Sequence, residues 1–208
     1  MRKVVFFIIF LINFCLFFSE FSFAEIFFAP EGFSTYQVKK GDVLGKIAPC
    51  EHWDLIKRVN RVDESHLPAG KSIFIPINPE KANRFIPIPK TIEKAKNQKR
   101  ILYIFLDRQY FGAYENGHLS FWGPISSGKK GLDTPVGNFS VKWKTGLYKS
   151  KKYDAEMPFA INISDAGFFI HQQSLPGKPA SHGCIRLLKE DAQKMYNWIK
   201  KNDPVVIK

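Results

Sequence analysis

The chain has 208 residues, 45% of them hydrophobic and 24% charged, with a formal net charge of +12. That balance supports a packed core and excludes wholesale disorder. The basic residues are scattered, with no block of five or six and no nucleic-acid motif beside them, so a soluble basic surface is expected and no nucleic-acid partner.

The N-terminus opens with Arg2 and Lys3, followed by an almost unbroken apolar run from Val4 to Phe18. Ser22-Phe23-Ala24 then supplies small residues before Glu25. This layout predicts a secretory signal peptide over residues 1–24, or a retained anchor, and so export to the periplasm or cell wall. If the signal is cleaved, no lasting membrane anchor is expected. Cys15 lacks the small preceding residue of a lipoprotein site. Of the other cysteines, Cys50 has no reactive-looking neighbours and reads as a buried or semi-buried structural residue, whereas Cys184 lies in a polar, glycine-containing setting.

Residues 34–78 read as strand, helix, helix, strand. Tyr36-Gln37-Val38 is the first strand, and Asp42 is placed to cap a helix reaching about Ala48. His52 to Asn60 repeats apolar residues at helical spacing, and Ile73, Ile75 and Ile77 alternate as a strand. Residues 79–99 form a Pro-containing linker whose apolar Phe85, Ile86 and Ile88 should pack on a neighbour, with a short helix possible between Thr91 and Lys99. Residues 100–208 predict mainly strands. These fall at 101–106, 109–114, 119–126, 138–144, 159–163 and 167–171, with an Asn116-Gly117 hairpin signal, one helix around Leu188–Ile199, and a closing strand at 205–207. The expected fold is α+β, mainly β: a small βααβ module, then a β-sandwich-like or barrel domain with a C-terminal helix.

Two histidines, one cysteine and one arginine fall within the sixteen residues from His171 to Arg186. Three readings compete. His171 leaves an apolar strand and could serve as base to a Cys184 thiol, with Gly183 allowing close approach and local N–H groups holding an oxyanion. Arg186 falls on the side of Cys184 if the stretch is extended, and could bind a carboxylate. Alternatively, His171, His182 and Cys184 could ligate zinc, though no fourth ligand at typical spacing is evident. The third reading is a buried cysteine beside a hydrogen-bonded histidine.

Two resemblances bear on the choice. Tyr36-Gln37-Val38-Lys39-Lys40-Gly41-Asp42, Ile56 to Asn60 and Pro68-Ala69-Gly70-Lys71 make residues 34–78 resemble a LysM glycan-binding module. Residues 100–208 resemble an L,D-transpeptidase catalytic domain of the YkuD type. That likeness rests on Ser181-His182-Gly183-Cys184-Ile185-Arg186, Ile170-His171, Ser126-Ser127-Gly128, Thr134-Pro135-Val136-Gly137 and Met157-Pro158. It implies Cys184 as nucleophile and His171 as general base, oriented by a nearby carbonyl such as that of Gln172. His182 and Gly183 would shape the oxyanion hole. Ser181, Gln172 and Arg186 would support the loop or contact substrate. It further implies peptidoglycan as partner, no cofactor and no metal, and cell-wall cross-linking as the outcome. L,D-carboxypeptidase trimming of tetrapeptides with water as acceptor, attachment of a protein to the wall, and a non-catalytic wall-binding role are the alternatives.

Overall fold

The computed structural model describes residues 29–208. The signal-peptide reading of residues 1–24 lies outside the described residues. No described helix is long and apolar enough to cross a membrane.

The N-terminal part pairs strand β1 (Phe33–Gln37) antiparallel with β2 (Ser72–Pro76). Between them lie helix α1 (Leu44–Ile47), a 3-10 turn at Cys50–His52, and α2 (Trp53–Asn60). Val38, Leu44, Ile56 and Ile73 form the small core. Asn60 ties helix to strand: its side chain donates to the Ile56 and Phe74 carbonyls and accepts from the Phe74 N–H. Two expectations need correction. Asp42 does not cap α1, which has Val43 at its N-cap; its carboxylate instead accepts from the Lys39 N–H and the Tyr36 hydroxyl, closing the turn before the helix. Cys50 is exposed rather than buried, because it sits on the outer side of the 3-10 turn.

The remaining strands are β3 (Ile101–Phe105), β4 (Tyr110–Glu115), β5 (His118–Ser126), β6 (Gly137–Ser140), β7 (Trp143–Ser150), β8 (Ala155–Asn162), β9 (Phe169–Gln172), β10 (Ile185–Leu187) and β11 (Pro204–Ile207). They make one nine-stranded mixed sheet, in the order β6-β11-β3-β4-β5-β10-β9-β8-β7. The expected sandwich is therefore a single sheet curled over its own core. Leu102 of β3 and Ile170 of β9 share one cluster although three strands lie between theirs in the sheet. Helix α4 (Lys189–Trp198) plugs the curl with Ala192 and Met195. The β4–β5 turn places Asn116 at φ 49° and Gly117 at φ 79°, the left-handed pair that a two-residue hairpin requires.

β3 is buried on both faces. Leu102 and Ile104 enter the main core. Ile101, Tyr103 and Phe105 face a second layer, which the connector supplies through Ile88 and Ala95. The Tyr114 hydroxyl donates to the Pro89 carbonyl at 2.7 Å. The connector, which includes the short helix α3 (Pro79–Ala82), is thus a wall of the C-terminal half.

The two halves are locked together. Asp191, in the first turn of α4, is 2% exposed and receives Arg58 of α2 through two hydrogen bonds, at 2.8 and 3.2 Å. Arg58 also donates to the Trp122 carbonyl. Burial pushes the Asp191 carboxyl up, to about 6, against the pull of Arg58. Burial also opposes the Arg58 charge, yet Asp191 and Asp54 hold the guanidinium above its ordinary value. A second seam joins the segment after α2 to the loop between β9 and β10. The Asp63 N–H donates to the Leu175 carbonyl at 2.9 Å, its carboxylate accepts from the Leu175 N–H at 2.7 Å, and Gly177 N–H donates to the Arg61 carbonyl. Removing one partner of a buried pair strands the other. Arg58→Ala should therefore lower stability by about 3 kcal/mol, read as the urea midpoint, and Arg58→Ala/Asp191→Asn should recover part of that loss.

Candidate active site

β9 and β10 run parallel, with Ile185 opposite Ile170 and Arg186 opposite His171. Paired residues on parallel strands point the same way, and alternate residues share a face. Ile170, Ile185 and Leu187 enter the core. Phe169, His171 and Arg186 point to the other face, and Cys184 joins them by alternation. Cys184 thus sits one strand across and two residues back from His171, an offset of about 4.8 Å by about 6.6 Å between backbones. Both line one cavity of about 60 Å³ with Arg186, Ser181, His182 and Gln173.

His171 is 5% exposed and its Nδ1 lies 2.9 Å from the Gln172 carbonyl. A carbonyl only accepts, so Nδ1 carries the proton and Nε2 keeps its lone pair. Burial pushes the imidazole down, to about 4; the Gln172 carbonyl works against that shift, and the charge of Arg186 adds to it. Burial pushes the Cys184 thiol up, opposed by the Phe169 backbone and by Arg186. Burial also pushes the Arg186 guanidinium down, opposed by Cys184. At neutral pH the resting pair is a neutral thiol beside a neutral imidazole.

The loop leading to Cys184 is held by hydroxyls. Ser181 Oγ donates to the Cys184 carbonyl at 2.5 Å and accepts from the Gly183 N–H at 3.0 Å. Thr134 Oγ1 donates to the Gly183 carbonyl and accepts from the Gly128 N–H, both at 2.9 Å. The Ser181 and Ala180 N–H groups reach the Ser127 carbonyl. Ser127 is held in turn by Gln109, whose side chain bonds both its N–H and its hydroxyl. Gly183 sits at φ +111°, and a Cβ there would fall 2.9 Å from the Phe168 ring. One expectation changes here. The Gly183 N–H is committed to Ser181, so Gly183 shapes the loop rather than donating to an oxyanion. Among the described residues the Cys184 N–H makes no turn or loop hydrogen bond to a backbone carbonyl.

Long β7 and β8 form a hairpin beyond the range predicted for them. Trp143 and Tyr148 of β7 pack on Phe169 of β9, at centroid distances of 5.4 and 4.9 Å. At the hairpin tip Tyr153 stacks on the His182 ring at 4.6 Å. His182 itself is exposed and forms a rim with Tyr153. Among the described residues no three or more His, Cys, Asp or Glu side chains group as a metal would require. Gln172 holds the His171 ring through its carbonyl, and Arg186 reaches Ser174 at 3.5 Å. Sequence reading missed Gln109, Tyr153 and the role of Thr134. Gln109 and Tyr153 lie outside any pattern, whereas Thr134 stood within a quoted motif.

Comparison with known proteins adds a family. A family model for the L,D-transpeptidase catalytic domain, YkuD, matches residues 99–207. A probable L,D-transpeptidase 3 of Mycobacterium tuberculosis is 31% identical over 101 residues, covering 40% of this chain and 37% of that protein. The chain thus spans little more than a third of that relative. A putative L,D-transpeptidase YkuD of Bacillus subtilis is 28% identical over 181 residues, covering 83% of this chain and 98% of that protein. Among solved structures, an L,D-transpeptidase from Stackebrandtia nassauensis superposes with a TM-score of 0.51 at 23% identity, over 61% of this chain and 62% of that one. This last likeness is one of fold.

Proposed function

The chain belongs to the L,D-transpeptidase family through residues 99–207, and on that premise we propose that it cuts a peptidoglycan stem tetrapeptide before its terminal D-Ala and transfers the acyl part to an amine. The observation that carries this reading is the His171 ring. It is buried, neutral and fixed through Nδ1, and it lines one small cavity with Cys184.

The chemistry follows from those positions. As Cys184 Sγ attacks the carbonyl carbon, its proton passes to His171 Nε2. The developing oxyanion takes the Cys184 N–H, with the exposed His182 segment at its edge. Collapse breaks the peptide bond, and the imidazolium returns its proton to the departing D-Ala nitrogen. A thioester on Cys184 and a neutral imidazole remain. An incoming amine attacks the thioester, gives a proton to His171, and displaces the sulfur, which recovers that proton. Arg186, half-buried in the same cavity as the cysteine, would hold the D-Ala carboxylate. No cofactor enters.

The N-terminal residues 34–78 would act as a LysM module that keeps glycan strands near this site, raising effective substrate concentration. The chain would work outside the cytoplasm, in the periplasm or cell wall. Incubation with purified disaccharide-tetrapeptide tests the reading. Mass spectrometry should find cross-linked dimers together with free D-Ala. Unchanged substrate from folded protein would refute it, and trimmed tripeptide alone would replace the amine with water.

A further inference from the structure

The cavity around Cys184 measures about 60 Å³, room for the reacting end of one stem peptide. A transfer reaction needs a second strand. Beside this cavity lies a groove of about 310 Å³, walled on one side by the segment after α2 and on the other by the loop after β9 and the start of α4. Gln173 lines both spaces. Ser174 of the groove is touched by Arg186 of the cysteine cavity. The other large cavities, around Phe74, around Trp122 and around Gln109, share no lining residue with Cys184.

The groove carries charges of both signs. Lys57 pairs with Glu64, and His66 with Asp63, on the N-terminal wall. Glu190 on the opposite wall is exposed and has no ion-pair partner among the described residues. The Asp63–Leu175 seam and the Arg58–Asp191 pair hold the walls at fixed separation. Building on the transpeptidase reading above, we infer that this groove seats the acceptor: a stem peptide whose side-chain ammonium is drawn by Glu190 and then directed past Gln173 to the thioester. The N-terminal module would thus form half of the acceptor's site, beyond any hold it has on glycan. In the transfer the amine nitrogen bonds to the acyl carbon and the carbon–sulfur bond breaks. His171 carries the amine's proton to the sulfur.

The test uses the full chain, disaccharide-tetrapeptide as donor, and a soluble stem tripeptide bearing a diamino acid as acceptor. Two surface variants perturb the groove from opposite walls: Glu190→Lys reverses its unpaired charge, and Ser65→Trp adds a bulky ring to the N-terminal wall. Each should lower the ratio of cross-linked to trimmed product about fivefold, while the rate of donor consumption and the cross-linking of methylamine stay as in the wild type. Normal donor consumption with an unchanged product ratio in both variants would overturn the groove assignment and leave the transpeptidase reading standing. A wild type that yields only trimmed product at saturating acceptor would remove both.

Discussion

Cys184→Ala should abolish processing of wall peptides, a loss of about four orders of magnitude or more, because removing a covalent nucleophile leaves only positioning and oxyanion contacts. The variant should remain folded. The thiol packs against Met157 and Phe169 at the edge of a small cluster, and deleting one sulfur there costs about 1 kcal/mol. Donor consumption in a preparation whose thermal midpoint is near wild type separates the two effects. Cys50→Ser should change neither quantity, since that thiol is exposed and far from the curled sheet's cavity.

The second large effect is expected at His171. His171→Gln keeps a side chain of similar reach but removes the base, and the rate of acylation should fall about a hundredfold to ten-thousandfold. Its pH profile is the sharper readout. Because burial holds the imidazole near 4, wild-type acylation should stay flat from neutral pH downward and decline only as the pH falls through about 4. In His171→Gln that acid limb should vanish. Stability should show the same group in a different window. The unfolded imidazole takes a proton near 6.5 and the folded one only near 4, so the stability present above 6.5 is lost progressively down to about 4. The full difference amounts to about 3 kcal/mol. Urea midpoints measured across that range should fall in the wild type and flatten in the glutamine variant.

Much of this was legible from the sequence because it depends on local patterns. The helical spacing in 52–60, the Asn116-Gly117 turn and the apolar run of β3 each specify an element without help from distant residues. Ser181 to Arg186 and His171 also stood out, since a thiol, imidazoles and a cation fell within a short span. What stayed hidden depends on contacts far apart in the chain. Gln109 binds Ser127 from eighteen positions away, and nothing near it marks that role. The exposed, lysine-rich β7 carries no alternation of apolar residues, so the hairpin bearing Tyr153 was invisible until Phe169 provided a partner for Trp143 and Tyr148. The Gly183 N–H was free to serve as an oxyanion donor only as long as the direction of the Ser181 hydroxyl was unknown. Arg58 read as one surface charge among many, and only the fold brings Asp191 to it from 133 residues away.

The account rests on acyl transfer to Cys184 with the neighbouring imidazole as base. Intact mass after exposure to a carbapenem, followed by peptide mapping, addresses it most directly. One covalent adduct should form, located on the peptide holding Cys184 and absent from Cys184→Ala, and its formation should slow sharply in His171→Gln. An adduct on Cys50, or one that forms at the wild-type rate without the imidazole, would contradict the account.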